Sequence, residues 1–259
     1  MCGIWAYLLH KNIELNHDKI LNNFMNIKGR GPDSLKLIHY KNKYMIGFHR
    51  LSIMDVSSNG NQPFEYYDES TDTKYTCVCN GEIYNASNIV AGLGNEYNFT
   101  SSSDCETLIP LYIKYKESMV NYLDGVFSII IIIEKDNNVE YFIVRDRIGV
   151  RPLYIGKDTN NNFIFSSELK GMKDIAVSSE QFNPGTYKMI SYSENNYNVR
   201  TETYFTPKKY LDIKDYMGIN KLNNIYENIR YTLTESVKKR LMSDRPICAL
   251  LSGGLDSSL

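Results

Sequence analysis

Neither sign of charge predominates in this 259-residue chain, where 29 Lys and Arg stand against 30 Asp and Glu for a formal net charge of −1. Without a basic field there is no general attraction to nucleic acid or to an anionic membrane surface, which leaves small molecules as the expected partners. A long apolar run is also missing. The longest, residues 127–133, falls far short of the roughly 20 residues that span a bilayer. Residues 1–10 are apolar but carry neither a basic n-region nor a small-residue cleavage site, so they do not read as a signal peptide. Cysteine is sparse. Five residues at irregular spacing are not the framework of a disulfide-stapled secreted domain and fit reduced thiols in the cytoplasm. Metal-ligand spacing is equally absent: Cys77 and Cys79 form a C-x-C pair without a second cluster, and His10, His17, His39 and His49 show no ligand or triad spacing. Cys105 and Cys248 read as buried structural thiols.

What is present is material for a core, with 42% hydrophobic and 12% aromatic residues. Short strands punctuated by Gly, Asn and Asp, with a few helices between them, run through residues 1–205 and predict a sheet-based α+β domain. Strands are expected over residues 3–9, 43–50, 75–80 and 139–145. Residues 127–133, apolar on both faces, suit a strand buried between two layers. Ser103 and Glu106 have the S-x-x-E spacing of a capping box, and Leu108, Ile109, Tyr112 and Tyr115 follow at helical spacing, which puts Asp104 in a helix's first turn. Residues 206–220, mixed in charge and poor in periodicity, are the expected linker. A second unit, residues 221–259, then begins. Leu222, Ile225, Ile229, Leu233, Val237 and Leu241 describe one amphipathic helix, and residues 247–251 a short apolar strand.

Cys2 follows the initiator Met directly, and a small penultimate side chain permits Met removal. One residue would then supply both a thiol nucleophile and, in an α-amine with a reference pKa near 8, a proton acceptor. By itself Cys2 reads as a small buried residue at a strand start, and the rest of the sequence reverses that reading. The stretch Cys2-Gly3-Ile4-Trp5-Ala6 resembles the opening of the class II glutamine amidotransferases, and further motifs of that family follow in order: Arg30-Gly31-Pro32-Asp33, His49 to Ile53, Gln62-Pro63-Phe64, Asn80 to Asn85, Ser103 to Glu106, Leu123-Asp124-Gly125 and Arg145 to Leu153. The resemblance implies a four-layer αββα sandwich of the N-terminal nucleophile hydrolase type.

Amide hydrolysis passes through a tetrahedral oxyanion, which preorganised donors stabilise. By resemblance these are the Asn80 side-chain amide and the Gly81 N–H, with Cys2 the nucleophile; the Asn-Gly dipeptide alone would read as a turn. Arg50 suits the glutamine carboxylate as a bidentate fork, and Asp104 and Glu82 suit its ammonium. The resemblance places Arg50, Leu51, Ile53, Asn80, Gly81, Glu82 and Asp104 in the glutamine pocket. Arg30 is expected near the nucleophile, although Gly29 precedes it where His is usual in the family. Asp33, Asn85 and the Asp146 loop are expected to shape the fold or domain contacts.

The segment Ser252-Gly253-Gly254-Leu255-Asp256-Ser257-Ser258 offers consecutive N–H groups and hydroxyls, an anion nest without the G-K-[ST] ending of a Walker A loop. It resembles the ATP-pyrophosphatase loop that follows the glutaminase domain in asparagine synthetases. This resemblance implies ATP at Leu251, Ser252, Gly253, Gly254, Leu255, Asp256 and Ser257, and Mg²⁺ at Asp256. It further implies aspartate as the acid activated as β-aspartyl-AMP, ammonia from glutamine as the nucleophile, asparagine as the product, and a possible homodimer. No cofactor is expected for the glutaminase half. Since the chain stops at Leu259, the expectation is a glutaminase followed by only the beginning of the synthetase half. The competing expectations are another class II amidotransferase, whose sugar-phosphate partner domain would lack the S-G-G-L-D-S loop, and a non-catalytic glutamine-binding module.

Overall fold

The computed structural model of the protein describes residues 1–9, 16–40, 43–94, 97–136, 138–193, 196–207 and 219–258. In chain order its elements are β1 (Gly3–Leu8), α1 (His17–Met25), β2 (Ser34–Tyr40), β3 (Tyr44–Arg50), β4 (Phe64–Asp68), β5 (Thr73–Ile83), α2 (Ala86–Leu93) and α3 (Leu108–Tyr115). The strands β6 (Gly125–Lys135), β7 (Asn138–Arg145), β8 (Tyr154–Lys157), β9 (Phe163–Ser166), β10 (Ser178–Gln181), β11 (Thr186–Ser193) and β12 (Asn196–Thr203) follow, then helices α4 (Ile219–Lys239) and α5 (Leu255–Ser258). The strands form two antiparallel six-stranded sheets, ordered β10-β8-β9-β1-β3-β2 and β12-β11-β7-β6-β5-β4.

Strand parity assigns every layer. Side chains alternate across a strand, and on β6 Phe127, Ile129, Ile131 and Ile133 enter one core while Ile130 and Ile132 enter another. The first core lies under α2 and α3, with Ile89, Leu93, Leu108, Ile109 and Tyr112. The second lies between the sheets, where Ile4, Ala6 and Leu8 of β1 and Ile46 and Phe48 of β3 meet Val78, Tyr141 and Ile143. Trp5, Tyr7 and Met45, of opposite parity, join Ile20 and Phe24 of α1 in a third core on the outer face of the first sheet. Three cores separating helix, sheet, sheet and helix make the αββα sandwich, and each central strand is apolar on both faces because both faces are covered. His49 belongs to this packing: it is buried, stacked at 4.1 Å on Phe24, and one ring nitrogen lies 3.0 Å from the Phe24 carbonyl oxygen.

Three local expectations are corrected. The Ser103–Glu106 capping box does not form, and residues 104–107 make a 3-10 turn before α3. Glu106 instead accepts from the Thr100 and Ser101 N–H groups at 2.8 and 2.7 Å and from both hydroxyls, so its carboxylate closes the preceding loop. Residues 247–251 form no strand. Ile247, Leu250 and Leu251 are exposed, and an extended segment becomes a strand only when a neighbour pairs with it. Cys248, expected to be buried, is exposed with them. Of the expected linker, residues 208–218 lie outside the described residues. Among the described residues no helix is long and apolar enough to cross a membrane.

Candidate active site

The parity that builds the inter-sheet core also builds the site. Cys2, two residues before Ile4, falls on the inter-sheet face and packs against that core. Asn80, two residues after Val78, is buried on the same face of β5. The two side chains therefore approach each other at one end of the layer, where a cavity of about 50 Å³ opens. Arg50, Leu51, Ile53, Gly81, Glu82 and Asp104 line the same cavity, so one cavity gathers every residue expected around glutamine.

The backbone of β5 supplies the second donor. Both Phe127 backbone groups turn toward Asp146, its N–H to the carboxylate at 3.2 Å and its C=O to the Asp146 N–H at 2.8 Å. Gly81, paired with Phe127, therefore directs its own N–H to the opposite side. Along that side the Cys79 N–H donates to the Gln62 amide oxygen at 2.6 Å and the Ile83 N–H to Asp104 at 2.7 Å, leaving Gly81 between them at the cavity wall. A Cβ on Gly81 would stand 2.4 Å from the Val126 carbonyl oxygen and 2.8 Å from Phe127 Cα, so only glycine fits. The Asn80 Nδ2 is buried without a hydrogen-bond partner. An unmet buried donor is costly, and here it adjoins the thiol's cavity.

The Cys2 Sγ accepts from the Leu51 N–H at 3.4 Å and lies 3.5 Å from the Leu51 carbonyl oxygen. Arg30 pins the residue's backbone, donating Nε to the Cys2 carbonyl at 2.7 Å while its Nη1 pairs with Glu168 at 3.3 Å. Burial pushes the Cys2 thiol above its ordinary range, so attack requires a base. The amine at the head of the chain, that of Met1, is held below its ordinary value by burial, which favours its neutral, proton-accepting form. Met1 itself lines the cavity.

Arg50 is buried and directed into a loop. Nη1 donates to the Ser57 carbonyl and to Asn61 Oδ1, both at 2.7 Å, and Nη2 to the carbonyls of Met54, at 3.3 Å, and Asp55. Arg50 lines the cavity, but both terminal nitrogens of its guanidinium are taken up by residues 54–61, so the bidentate fork expected for the glutamine carboxylate is not free here. Gly60 makes room for it, since a Cβ there would meet Nη2 at 2.3 Å.

The two acidic residues differ. Asp104 is buried, accepts from the Ile83 N–H, and is pushed up to about 6 chiefly by burial. Glu82 is engaged by Arg151, whose Nη2 lies 2.7 Å from its carboxylate. The Arg151 loop is in turn organised by Asp146, whose carboxylate accepts the N–H groups of Ile148, Val150 and Arg151 at 3.3, 2.9 and 2.9 Å. Arg151, Gln62 and Gly60 were not singled out from sequence; Gln62 and Arg151 lie inside motifs carrying the family resemblance, which was the available signal. Cys79 and Cys105 also line the cavity. The Cys105 thiol is held far above its ordinary range by contact with Cys79 and by burial.

The Ser252–Ser257 loop lies apart from this cavity. Ser252 and Ser257 hydroxyls meet at 2.8 Å, the Gly254 N–H points to Ser252 Oγ at 3.4 Å, and Gly253 has φ +77°, giving an exposed, hydroxyl-lined turn before α5. Asp256 has no company: among the described residues no three His, Cys, Asp or Glu side chains gather to hold a metal.

Comparison with known proteins matches residues 1–229 to the family "Glutamine amidotransferase domain" and residues 228–259 to "Asparagine synthase". The whole chain aligns with a probable glutamine-hydrolysing asparagine synthetase of Acanthamoeba polyphaga mimivirus at 33% identity, covering 48% of that protein. It aligns likewise with asparagine synthetase 1 of Saccharomyces cerevisiae at 36% identity, covering 42% of it. The chain thus spans less than half the length of these relatives. A solved glutamine phosphoribosylpyrophosphate amidotransferase from B. subtilis superposes with a TM-score of 0.63 at 18% identity, over 78% of this chain and 49% of the other, a likeness of fold.

Proposed function

The chain belongs to the glutamine amidotransferase domain family, and on that premise we propose that Cys2, once Met1 is removed, hydrolyses the side-chain amide of glutamine to glutamate and ammonia. The thiol transfers its proton to its own α-amine, and the sulfur attacks the carboxamide carbon. The oxyanion receives the Asn80 Nδ2–H and the Gly81 N–H. Collapse expels ammonia, which takes the proton from the ammonium group, and leaves a thioester. Water, deprotonated by the same amine, then releases glutamate. Asp104 and Glu82 face the substrate ammonium, with Arg50, Leu51 and Ile53 on the carboxylate side. The observation that carries the reading is the buried, unpartnered Asn80 amide in the cavity of the Cys2 thiol. Removal of Met1 would also clear its side chain from that cavity.

The wider activity follows from the relatives' names. Ammonia would convert an aspartate activated by ATP into asparagine, with the Ser252–Ser257 loop against phosphate and the adenylating unit beginning after residues 206–220. The exposed Tyr226, Ile229, Leu233 and Val237 of α4 are the face that the rest of such a unit would cover. Mg²⁺ would need further ligands beside Asp256, so no step is assigned to it. The free state of all five cysteines supports a reducing, cytoplasmic setting.

Intact mass and glutamate release from glutamine, measured on the protein and on Cys2→Ala, test the reading. Loss of Met1 with Cys2-dependent release supports it. Complete Met1 removal with no difference between the two proteins refutes it.

A further inference from the structure

The cavity wall formed by residues 51–55 is held from two sides. On its inner side Arg50 draws in the Met54 and Asp55 carbonyls, and Leu51 touches the Cys2 sulfur. The outer side is gripped by a distant part of the chain. Asp244 accepts the Asp55 N–H at 2.6 Å and returns its own N–H to the Ile53 carbonyl at 3.0 Å, while Arg245 Nε donates to the Ser52 carbonyl at 3.1 Å. Asp55 sits at φ 49°, a left-handed conformation that non-glycine residues adopt at a cost and keep only when neighbours enforce it. Its carboxylate adds bonds to Ser57 and to the Ser102 N–H.

We propose that Asp244 is a positioning residue for the substrate pocket: through the Asp55 N–H it sets the course of residues 53–55, and so the placing of Ile53, Met54 and the Arg50 guanidinium around the bound amino acid. Both oxyanion donors lie on β5, and the nucleophile at the β1 end meets the wall at Leu51, ahead of the residues 53–55 that Asp244 holds. Asp244 therefore acts on substrate affinity and leaves the chemical step alone. The clasp lies between α4 and the Ser252–Ser257 loop, so a segment outside the two sheets holds part of the pocket's shape. The inference rests on the reading of this cavity as a glutamine site.

The test compares Asp244→Ala with Asp244→Asn, whose amide oxygen still accepts the Asp55 N–H, and with Lys239→Ala, which removes a surface ion pair to Asp124. Losing one such hydrogen bond predicts a glutamine KM raised about three- to tenfold in Asp244→Ala, with kcat within about twofold. Asp244→Asn and Lys239→Ala should stay near the unmodified protein. Amide exchange at Asp55 should quicken in Asp244→Ala alone. An unchanged KM, equal impairment by Asn and Ala, or a loss confined to kcat overturns the proposal. Protection of Cys2 from alkylation by glutamine gives affinity without turnover. A chain that fails to hydrolyse glutamine yet shows weaker protection in Asp244→Ala separates failure of the chemistry from failure of the clasp, and equal protection with equal exchange refutes the clasp outright.

Discussion

The Glu82 carboxylate lies 2.7 Å from Arg151 Nη2 in an ion pair whose two side chains are largely shielded from solvent. Glu82 therefore reaches the cavity with its charge already matched, whereas Asp104 has no basic partner among the described residues and accepts from backbone N–H groups and from the Cys105 thiol. The two carboxylates expected to share the substrate ammonium are unequal. Asp104→Asn should raise the glutamine KM more than Glu82→Gln does, by about tenfold against about threefold, as steady-state kinetics on the two variants would show. Equal effects would mean that the Arg151 pair opens when substrate binds.

Asp104 also predicts a pH dependence. Its folded pKa, about 6, is raised from 3.8, so the stability it contributes is full below pH 4 and is lost as pH rises through 6. The difference of about two units corresponds to about 3 kcal/mol. Asp104→Asn should be more stable than the unmodified protein at pH 8 and lose that advantage at pH 4 in denaturant titrations. An ammonium acceptor must be ionised, so kcat/KM should fall below pH 6 with a limb that Asp104→Asn lacks.

Asn80→Ala should lower kcat by about 10²- to 10³-fold with little change in KM, because an oxyanion donor acts where charge develops. A KM effect of the same size would reassign the amide to ground-state binding.

Two glycines should fail differently. Gly81→Ala drives a Cβ into the β6 backbone and should cost about 1–3 kcal/mol of stability along with activity. Gly60→Ala meets Arg50 Nη2 and the Asp55 backbone and should raise the glutamine KM with a smaller shift in melting temperature. A calorimetric scan beside each kinetic series separates the two.

The sheet-based α+β character was legible in the strand patterning, and residues 127–133, apolar but for Ser128, suited a strand covered on both faces; the four-layer order was implied by the motif resemblance. The residues expected around glutamine were legible through motif resemblance, and the fold gathers these in one cavity, with the Ser252–Ser257 loop apart from it. Pairings between distant segments were not legible: nothing near Glu82 in sequence announces Arg151, and nothing near Asp55 announces Asp244. The S-x-x-E spacing at Ser103 misled because Glu106 found closer donors in Thr100 and Ser101. The apolar residues 247–251 misled because strand propensity has no effect without a strand beside it.

The burial of the cysteines makes the protein its own reporter. Cys77 is sealed in the core, Cys79 and Cys105 are buried in the cavity wall, Cys248 is open, and Cys2 stands half-buried in the same cavity. A thiol reagent therefore meets three kinetic classes: one sulfur at once, one at a pace that an occupied cavity would slow, and three only on unfolding. A single colorimetric trace thus registers global unfolding and access to the Cys2 cavity together, with no label added.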